Sequence, residues 1–195
     1  VNHWMVGYWN QNPTMYTYEI YYSLLEGETA DRTYNGTDYK KFAEYVVGST
    51  DHPSGQTALS FEGVRSVGKD YDTNEKIDGT VVRFYYQRIE HTVTLDDNYG
   101  NHENYTIPYG GTLGSYITTV PQPEYPDDLP GGAYSFDGWY QTKDGIGALD
   151  TAITMPNKDL IYYAMWKPAT YTVTITDSSG TVMTTEQVSY GDKAT

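Results

Sequence analysis

The sequence predicts a β-dominated α+β fold built from tandem repeats, and three observations favour this prediction. Tyr is abundant, with 22 among 195 residues, and Tyr and Thr suit the half-buried surface of a sheet. The chain also repeats itself: residues 91–95 (HTVTL) match residues 171–175 (YTVTI), and residues 107–110 (IPYG) match residues 188–191 (VSYG). Between the matching segments of each copy lies a turn rich in Asp, Asn, Ser and Gly, which is typical of a β-hairpin.

The repeats divide the chain into a longer variant unit over residues 1–89, a full unit over 90–167, and the opening hairpin of a further, truncated unit over 168–195. The joins between units are short, so we expect a monomer whose units stack end to end as a semi-rigid rod. An isolated hairpin is marginally stable. The last unit should therefore bury its apolar face against the second unit or a neighbouring molecule, unless the true boundary differs. That face consists of Val173, Ile175 and Val188.

The full unit begins with the hairpin and continues with a predicted helix within residues 110–120. Four residues there have the spacing of one helix face, namely Leu113, Tyr116, Ile117 and Val120. Prolines between residues 121 and 130 predict irregular structure. The apolar residues 160–166 predict a strand at the centre of the sheet.

Residues 134–140 of the same unit alternate as a strand. Simple alternation places Phe136 and Gly138 on one face of this strand and Asp137 and Trp139 on the other.

The first unit follows the same plan with longer segments. Strands are predicted at residues 4–9 and 16–25, which would form the opening hairpin, and at residues 80–86, which would close the unit. A helix is predicted within residues 38–47, because four residues there have helical spacing, namely Tyr39, Phe42, Ala43 and Val46.

Composition excludes several classes of function. The formal net charge of −14 would repel nucleic-acid phosphates and anionic head groups, so we expect no nucleic-acid partner. No apolar run is long enough to cross a bilayer, so we expect no membrane insertion. The chain has no Cys, which excludes disulfides, thiolate metal sites and a cysteine nucleophile.

Catalytic, cofactor and metal sites are not predicted. The histidines His3, His52, His91 and His102 are scattered, and residues 96–100 lack the ligand spacing of a calcium loop. The chain contains neither a GxSxG nucleophile turn nor a phosphate-binding loop. The spacing of its acidic residues does not indicate a glycosidase pair.

Four motifs of the second unit resemble the Listeria-Bacteroides repeat, also called the internalin B-type repeat. They are residues 92–94 (TVT), 108–111 (PYGG), 136–140 (FDGWY) and 163–167 (YAMWK). The first unit is similar to a longer relative of this repeat through residues 79–88, although it lacks the Asp-Gly-Trp-Tyr element. The resemblance implies a β-grasp-like fold, in which a small sheet curls over one short helix, with no catalytic residues and no cofactor.

The resemblance also implies an extracellular location, at a bacterial cell surface or cell wall. The predicted function is a non-enzymatic repeat region that acts as a semi-rigid spacer or adhesin stalk. The alternative is a carbohydrate- or mucin-binding module, which could accompany an extracellular glycan-degrading enzyme. The expected partner is a host or matrix glycan or glycoprotein.

Four aromatic residues are candidate ligand contacts, namely Trp4, Trp9, Trp139 and Tyr140. Aromatic faces stack on the apolar surfaces of sugars, whereas their polar atoms can reach sugar hydroxyls. Core packing is the competing explanation, above all for Trp139, because an indole removes a large apolar surface from water.

Overall fold

The computed structural model describes residues 13–72 and 79–194, which fall into two compact units. The first unit contains the described residues up to Glu90 together with Pro108–Gly111. The second contains His91–Ile107 and the described residues from Thr112 onward. Both are dominated by β-strands, as the sequence predicted. No helix in the described part of the chain has the length and apolar character needed to cross a membrane.

The first unit is built on a five-stranded sheet of order β2-β3-β1-β5-β4. Its strands are β1 (Thr14–Ser23), β2 (Arg32–Tyr34), β3 (Thr37–Ser49), β4 (Val64–Tyr71) and β5 (Thr80–Arg88). Strand β1 lies at the centre, antiparallel to β3 and parallel to β5. The predicted closing strand at residues 80–86 is confirmed as β5.

The predicted helix within residues 38–47 is wrong, because this segment forms most of strand β3. Its aromatic and β-branched residues favour a strand, and its backbone pairs with β1 from Ser23 to Thr14. The predicted partner of residues 16–25 also differs: β1 forms its antiparallel pair with β3. Residues 4–9, the expected partner, lie outside the described residues.

Tyrosines form much of the core of the first unit. Tyr16, Tyr18 and Tyr86 are buried beside Ile20 and Phe84. Their hydroxyl groups donate to a segment that follows β3: Tyr16 to the Asp51 carbonyl at 2.7 Å, Tyr18 to Gln56 Oε1 at 2.6 Å, and Tyr86 to the Leu59 carbonyl at 2.8 Å. A buried phenol needs such a partner, so this segment completes the core chemically as well as sterically.

A second aromatic cluster contains Tyr21, Tyr39 and Tyr85. Tyr34 stacks on Tyr85 with ring centroids 4.1 Å apart. The Tyr85 hydroxyl donates to Asp70 at 2.7 Å. Burial, followed by this bond, raises the pKa of Tyr85 far above its ordinary value.

Glu19 lies in an ion-pair network within the same sheet. Its carboxylate accepts hydrogen bonds from Arg83 Nε at 3.0 Å and from Lys41 Nζ at 2.8 Å. Burial acts to raise the pKa of Glu19, but the bonds from Lys41 and Tyr21 outweigh it and hold the pKa below its ordinary value. Glu19 therefore remains ionised within the sheet.

The second unit contains a four-stranded sheet of order β7-β6-β9-β8. Its elements are β6 (Glu90–Asp96), β7 (His102–Pro108), α1 (Leu113–Tyr116), β8 (Tyr134–Tyr140) and β9 (Leu160–Pro168). The apolar strand β9 lies inside the sheet, as predicted, parallel to β6 and antiparallel to β8.

The helix of the second unit is shorter than its apolar spacing suggested. Helix α1 has four residues, of which Leu113 is buried. Ile117, just after the helix, is also buried, whereas Val120 is 42% exposed. Pro121 disfavours helical backbone at Val120, the residue that precedes it. The helix therefore contributes one turn to the core.

The two sheets share strand order and direction. In the first unit β3-β1-β5-β4 corresponds to β7-β6-β9-β8 in the second. The two central strands of each set are parallel to each other, β1 to β5 and β6 to β9, and they are the first and last of the set along the chain. Each also has a register shift in its edge strand, between Ser66 and Gly68 and between Phe136 and Gly138.

The last two strands, β10 (Thr170–Thr176) and β11 (Val182–Ser189), form a separate two-stranded sheet. The ring of Tyr190, just after β11, contacts that of Tyr134 in the second unit at a centroid distance of 5.9 Å. This contact lies at the base of the hairpin and does not involve the apolar face that was expected to be buried. Its apolar face remains partly open, since Ile175 is 37% exposed.

Candidate functional site

Trp139 and Tyr140 lie next to each other in β8 but have different environments. Trp139 is 5% exposed, and its indole Nε1 donates to the Pro121 carbonyl at 2.8 Å. Tyr140 is half-buried, and its hydroxyl donates to Asp137 at 2.9 Å. The strand therefore does not bring the two rings together as one platform. Trp4 and Trp9 lie outside the described residues.

The predicted alternation in β8 is wrong at Trp139. The register shift between Phe136 and Gly138 adds one residue to the strand, as a β-bulge does. Phe136 and Trp139 consequently pack against each other edge to face, with ring centroids 5.5 Å apart. The bulge thus directs Trp139 into the core of the second unit.

A cleft of about 470 Å³ opens beside Trp139. Its walls come from the β6–β7 turn and from the proline-rich segment after α1. The lining residues are Leu95, Asp97, Asn101, His102, Glu103, Pro121, Gln122, Pro123, Glu124 and Trp139. A volume of roughly 300 to 1,000 Å³ is usual for small-molecule sites.

Asp97 is the buried carboxylate of this cleft. It accepts hydrogen bonds from the backbone N–H groups of Tyr99 at 2.7 Å and Asn101 at 3.0 Å, and from Asn101 Nδ2 at 2.8 Å. Burial acts to raise the pKa of Asp97, but these donors outweigh it and hold the pKa below its ordinary value. Asp97 is therefore ionised, and its carboxylate fixes the shape of the turn.

The outer part of the cleft is polar. His102, Glu103, Gln122 and Glu124 are exposed there. Within residues 13–72 and 79–194, no group of three or more His, Asp or Glu side chains is arranged to hold a metal ion. The cleft is thus lined by the largely buried Trp139 and by several exposed hydrogen-bonding side chains, a combination that suits a hydroxyl-rich ligand.

Sequence reasoning found Trp139 but missed the rest of the cleft. Gln122 and Glu124 belong to the proline-rich segment that was predicted only as irregular. Their position depends on the return of that segment to Trp139, which the hydrogen bond to Pro121 secures. Alternating prolines and polar residues next to a predicted core were the available signal.

A smaller notch of about 250 Å³ lies in the first unit. It is lined by Ser23, Tyr34, Asn35, Thr37, Tyr39, Val67 and Gln87. Tyr34 and Tyr39 belong to the aromatic cluster around Tyr85, so the notch borders a side-chain group that already contributes to packing.

No protein-family model matches the chain, and no curated protein is significantly similar to it. The resemblance to a bacterial surface repeat therefore rests on the sequence motifs themselves.

Proposed function

We propose that this chain is a non-enzymatic repeat region of a bacterial cell-surface or secreted protein, acting as a semi-rigid spacer or adhesin stalk. The observation that supports this proposal is a join that occurs twice with the same hydrogen bonds. After β5, Ile89 N–H donates to the Gly63 carbonyl at 2.9 Å, and the Ile89 carbonyl accepts from Tyr109 N–H at 2.8 Å.

The second join has the same pattern. After β9, Ala169 N–H donates to the Ala133 carbonyl at 2.9 Å, and the Ala169 carbonyl accepts from Tyr190 N–H at 2.8 Å. In both cases one residue separates two strands, and both of its backbone polar groups are bonded. Such a residue has little freedom to rotate, because both of its backbone polar groups are bonded, and this local restraint supports the proposed spacer.

The shared strand order and register shift support a further part of the proposal, that the units are copies of one β-grasp-like repeat. In this interpretation β2 is an addition specific to the first unit. The segment after β3 takes the place of the helical turn, since it supplies the partners of the core tyrosines.

The stiffness can be tested by measuring a distance distribution. The chain has no Cys, so Thr50→Cys and Asp144→Cys, both exposed positions, would accept a donor and an acceptor dye. A spacer predicts a narrow distribution of transfer efficiency in the double variant. Inserting Gly-Ser-Gly-Ser after Ile89 should broaden it, and a broad distribution before the insertion would contradict the spacer function.

A second candidate function is supported by the cleft beside Trp139. We propose that a carbohydrate- or mucin-binding module would bind its ligand there, through the rim formed by His102, Gln122 and Glu124. Glycan-array binding followed by calorimetry tests this proposal. Gln122→Ala and Glu124→Gln should weaken binding at least tenfold, whereas the control Asp144→Asn, at an exposed residue that does not line the cleft, should not. Equal affinity in all variants would reject the cleft.

A further inference from the structure

The β10–β11 hairpin reproduces the β6–β7 hairpin at its turn. Asp97 N–H donates to the Asn101 carbonyl at 3.0 Å, and Asp177 N–H donates to the Thr181 carbonyl at 2.9 Å. The Asp97 side chain accepts from Asn101 N–H at 3.0 Å, and that of Asp177 accepts from Thr181 N–H at 2.9 Å. Both turns are therefore held by the same carboxylate geometry.

The two hairpins also end alike. After β7, Gly111 N–H donates to the Pro108 carbonyl at 2.9 Å, and after β11, Asp192 N–H donates to the Ser189 carbonyl at 3.0 Å. With the joins already described, the backbone of the last hairpin has the same hydrogen bonds as that of the second unit at its base, turn and end. The β10–β11 hairpin therefore already has the backbone conformation of the β6–β7 hairpin.

The hairpins differ in what covers them. Strand β6 pairs with β7 on one edge and with β9 on the other, where Val93 lies opposite Leu160 and Leu95 lies opposite Tyr162. Val93, Leu95 and Ile107 are at most 1% exposed, in a cluster that includes Leu113 of α1.

In the described chain, β10 pairs with β11 alone. The residues that correspond to Val93, Leu95 and Ile107 are Val173, Ile175 and Val188. Val173 and Val188 are half-buried, and Ile175 is 37% exposed. One edge and one apolar face of a preformed hairpin are thus left without the elements that cover them in the second unit.

We propose that the β10–β11 hairpin is an acceptor surface for a half-repeat, meaning a polypeptide segment with the chemistry of residues 113–166. Its apolar strand adds to β10 in parallel, in the register of β9, so that its residues lie opposite Val173 through Thr176. Its single helical turn places an apolar side chain over Ile175 and Val188. The second unit supplies the template for each of these contacts.

A second copy of this chain fits the surface less well. Strand β9 of each copy already pairs on both edges, with β6 and β8, so it cannot add to β10 without opening its own unit. Two chains of formal charge −14 also repel each other. The occupant is therefore a segment whose strand is not yet paired.

The experiment extends the full chain after Thr195 with a second copy of residues 113–168 and follows amide hydrogen exchange over β10 and β11. The proposal expects protection of Val173 through Thr176 to rise at least tenfold relative to the parent chain. A matched control carries Leu160→Asp and Tyr162→Asp in the added copy only and should leave exchange at the parent rate.

Three outcomes would overturn the proposal. They are strong protection in the dilute parent chain, protection in the parent that rises with its concentration, and equal exchange in the extended chain and its control. The acceptor-surface proposal rests on the likeness of the two hairpins, which is a part of the proposed repeat architecture, and not on the stiffness of the spacer. The two tests are therefore distinguishable: a narrow dye-distance distribution would still support the spacer function if hydrogen exchange rejected the acceptor surface.

Discussion

Buried tyrosines combine two tasks in the first unit. Each ring removes a large apolar area from water, and the hydroxyls of Tyr16, Tyr18 and Tyr86 bind the segment that covers them. The same side chains therefore build the core and fix its cover. In the second unit Trp139 does the same through its bond to Pro121.

Replacement of Trp139 tests whether this residue belongs to the core. Trp139→Ala should lower the free energy of unfolding by about 3 to 5 kcal/mol, because it removes a buried indole and leaves a cavity. Tyr140→Ala, at the half-buried neighbour, should cost clearly less. Chemical denaturation followed by circular dichroism measures both; equal losses, or no loss in Trp139→Ala, would contradict the core assignment.

Asp97 should make the second unit sensitive to acid. A carboxyl whose pKa falls on folding stabilises the protein above its ordinary pKa, 3.8, and that stabilisation disappears as the pH falls through the lowered value. The denaturation midpoint of the parent should therefore decrease as the pH is lowered below the ordinary pKa of Asp97, 3.8.

Asp97→Asn isolates this contribution, since the amide cannot ionise. The variant should be less stable at neutral pH, by about 1 to 3 kcal/mol for a weakened buried hydrogen-bond set, and its midpoint should depend less on acid. A variant with the full acid dependence of the parent would show that other carboxyls cause it.

Individual elements differ in how far the sequence determines them. The segment 160–166 was predicted as a central strand because its run of apolar residues suits no other position, and β9 confirms this. Residues 38–47 satisfied a helical and a strand pattern together, since Tyr39, Ala43 and Val47 fit both periods, and pairing with β1 decided for the strand. The bulge at Phe136 and Gly138 depends on a partner strand, so local alternation could not reveal it.

The start of β4 depends on Gly63. This residue has φ +69°, and a Cβ there would collide with the Tyr109 ring, within the first unit. Gly36 has a similar φ of +80° with open space around it. Gly36→Ala should therefore cost about 1 to 2 kcal/mol for backbone strain alone, whereas Gly63→Ala should cost roughly 1 to 3 kcal/mol more.

Thermal or chemical denaturation of the two alanine variants gives this difference. Adding Tyr109→Ala to Gly63→Ala should recover part of the extra loss, because the colliding ring is then absent. Equal stability of the two single variants would show that the ring moves aside without cost.

For the whole molecule, the sequence predicted its β-rich class and the positions of most strands in the second unit, whereas the tandem-repeat architecture stays a prediction. The cleft could not be predicted, because its walls come from a turn and an irregular segment that meet only in the folded unit.

The many buried tyrosines of the first unit make its stability depend on pH. Burial raises the pKa of Tyr18, Tyr21, Tyr22, Tyr39, Tyr85 and Tyr86.

The first unit should consequently unfold in alkali. A phenol whose pKa rises on folding stabilises the protein fully below its ordinary pKa, 10.0, and this stabilisation disappears as the pH rises through the folded value, about 12 for Tyr86. Tyrosinate absorbance and circular dichroism should therefore change together, steeply, above pH 10. Tyr86→Phe should shift the transition to higher pH; separate, gradual ionisation without unfolding would contradict the prediction.

The parallel pairing of first and last strands has a mechanical consequence. Because β1 and β5 run in the same direction, tension applied to the start of β1 and the end of β5 strains all of their pairs together, from Tyr16 opposite Thr80 to Tyr22 opposite Tyr86. Strands β6 and β9 pair in the same sense over a shorter stretch, Val93 to Asp96. Forced unfolding depends on the unfolding rate under load, and fewer parallel pairs have to break in the second unit. The second unit should therefore unfold first when a single molecule is stretched. A chain of such units would resist pulling by shear and would lengthen in steps as each unit yields.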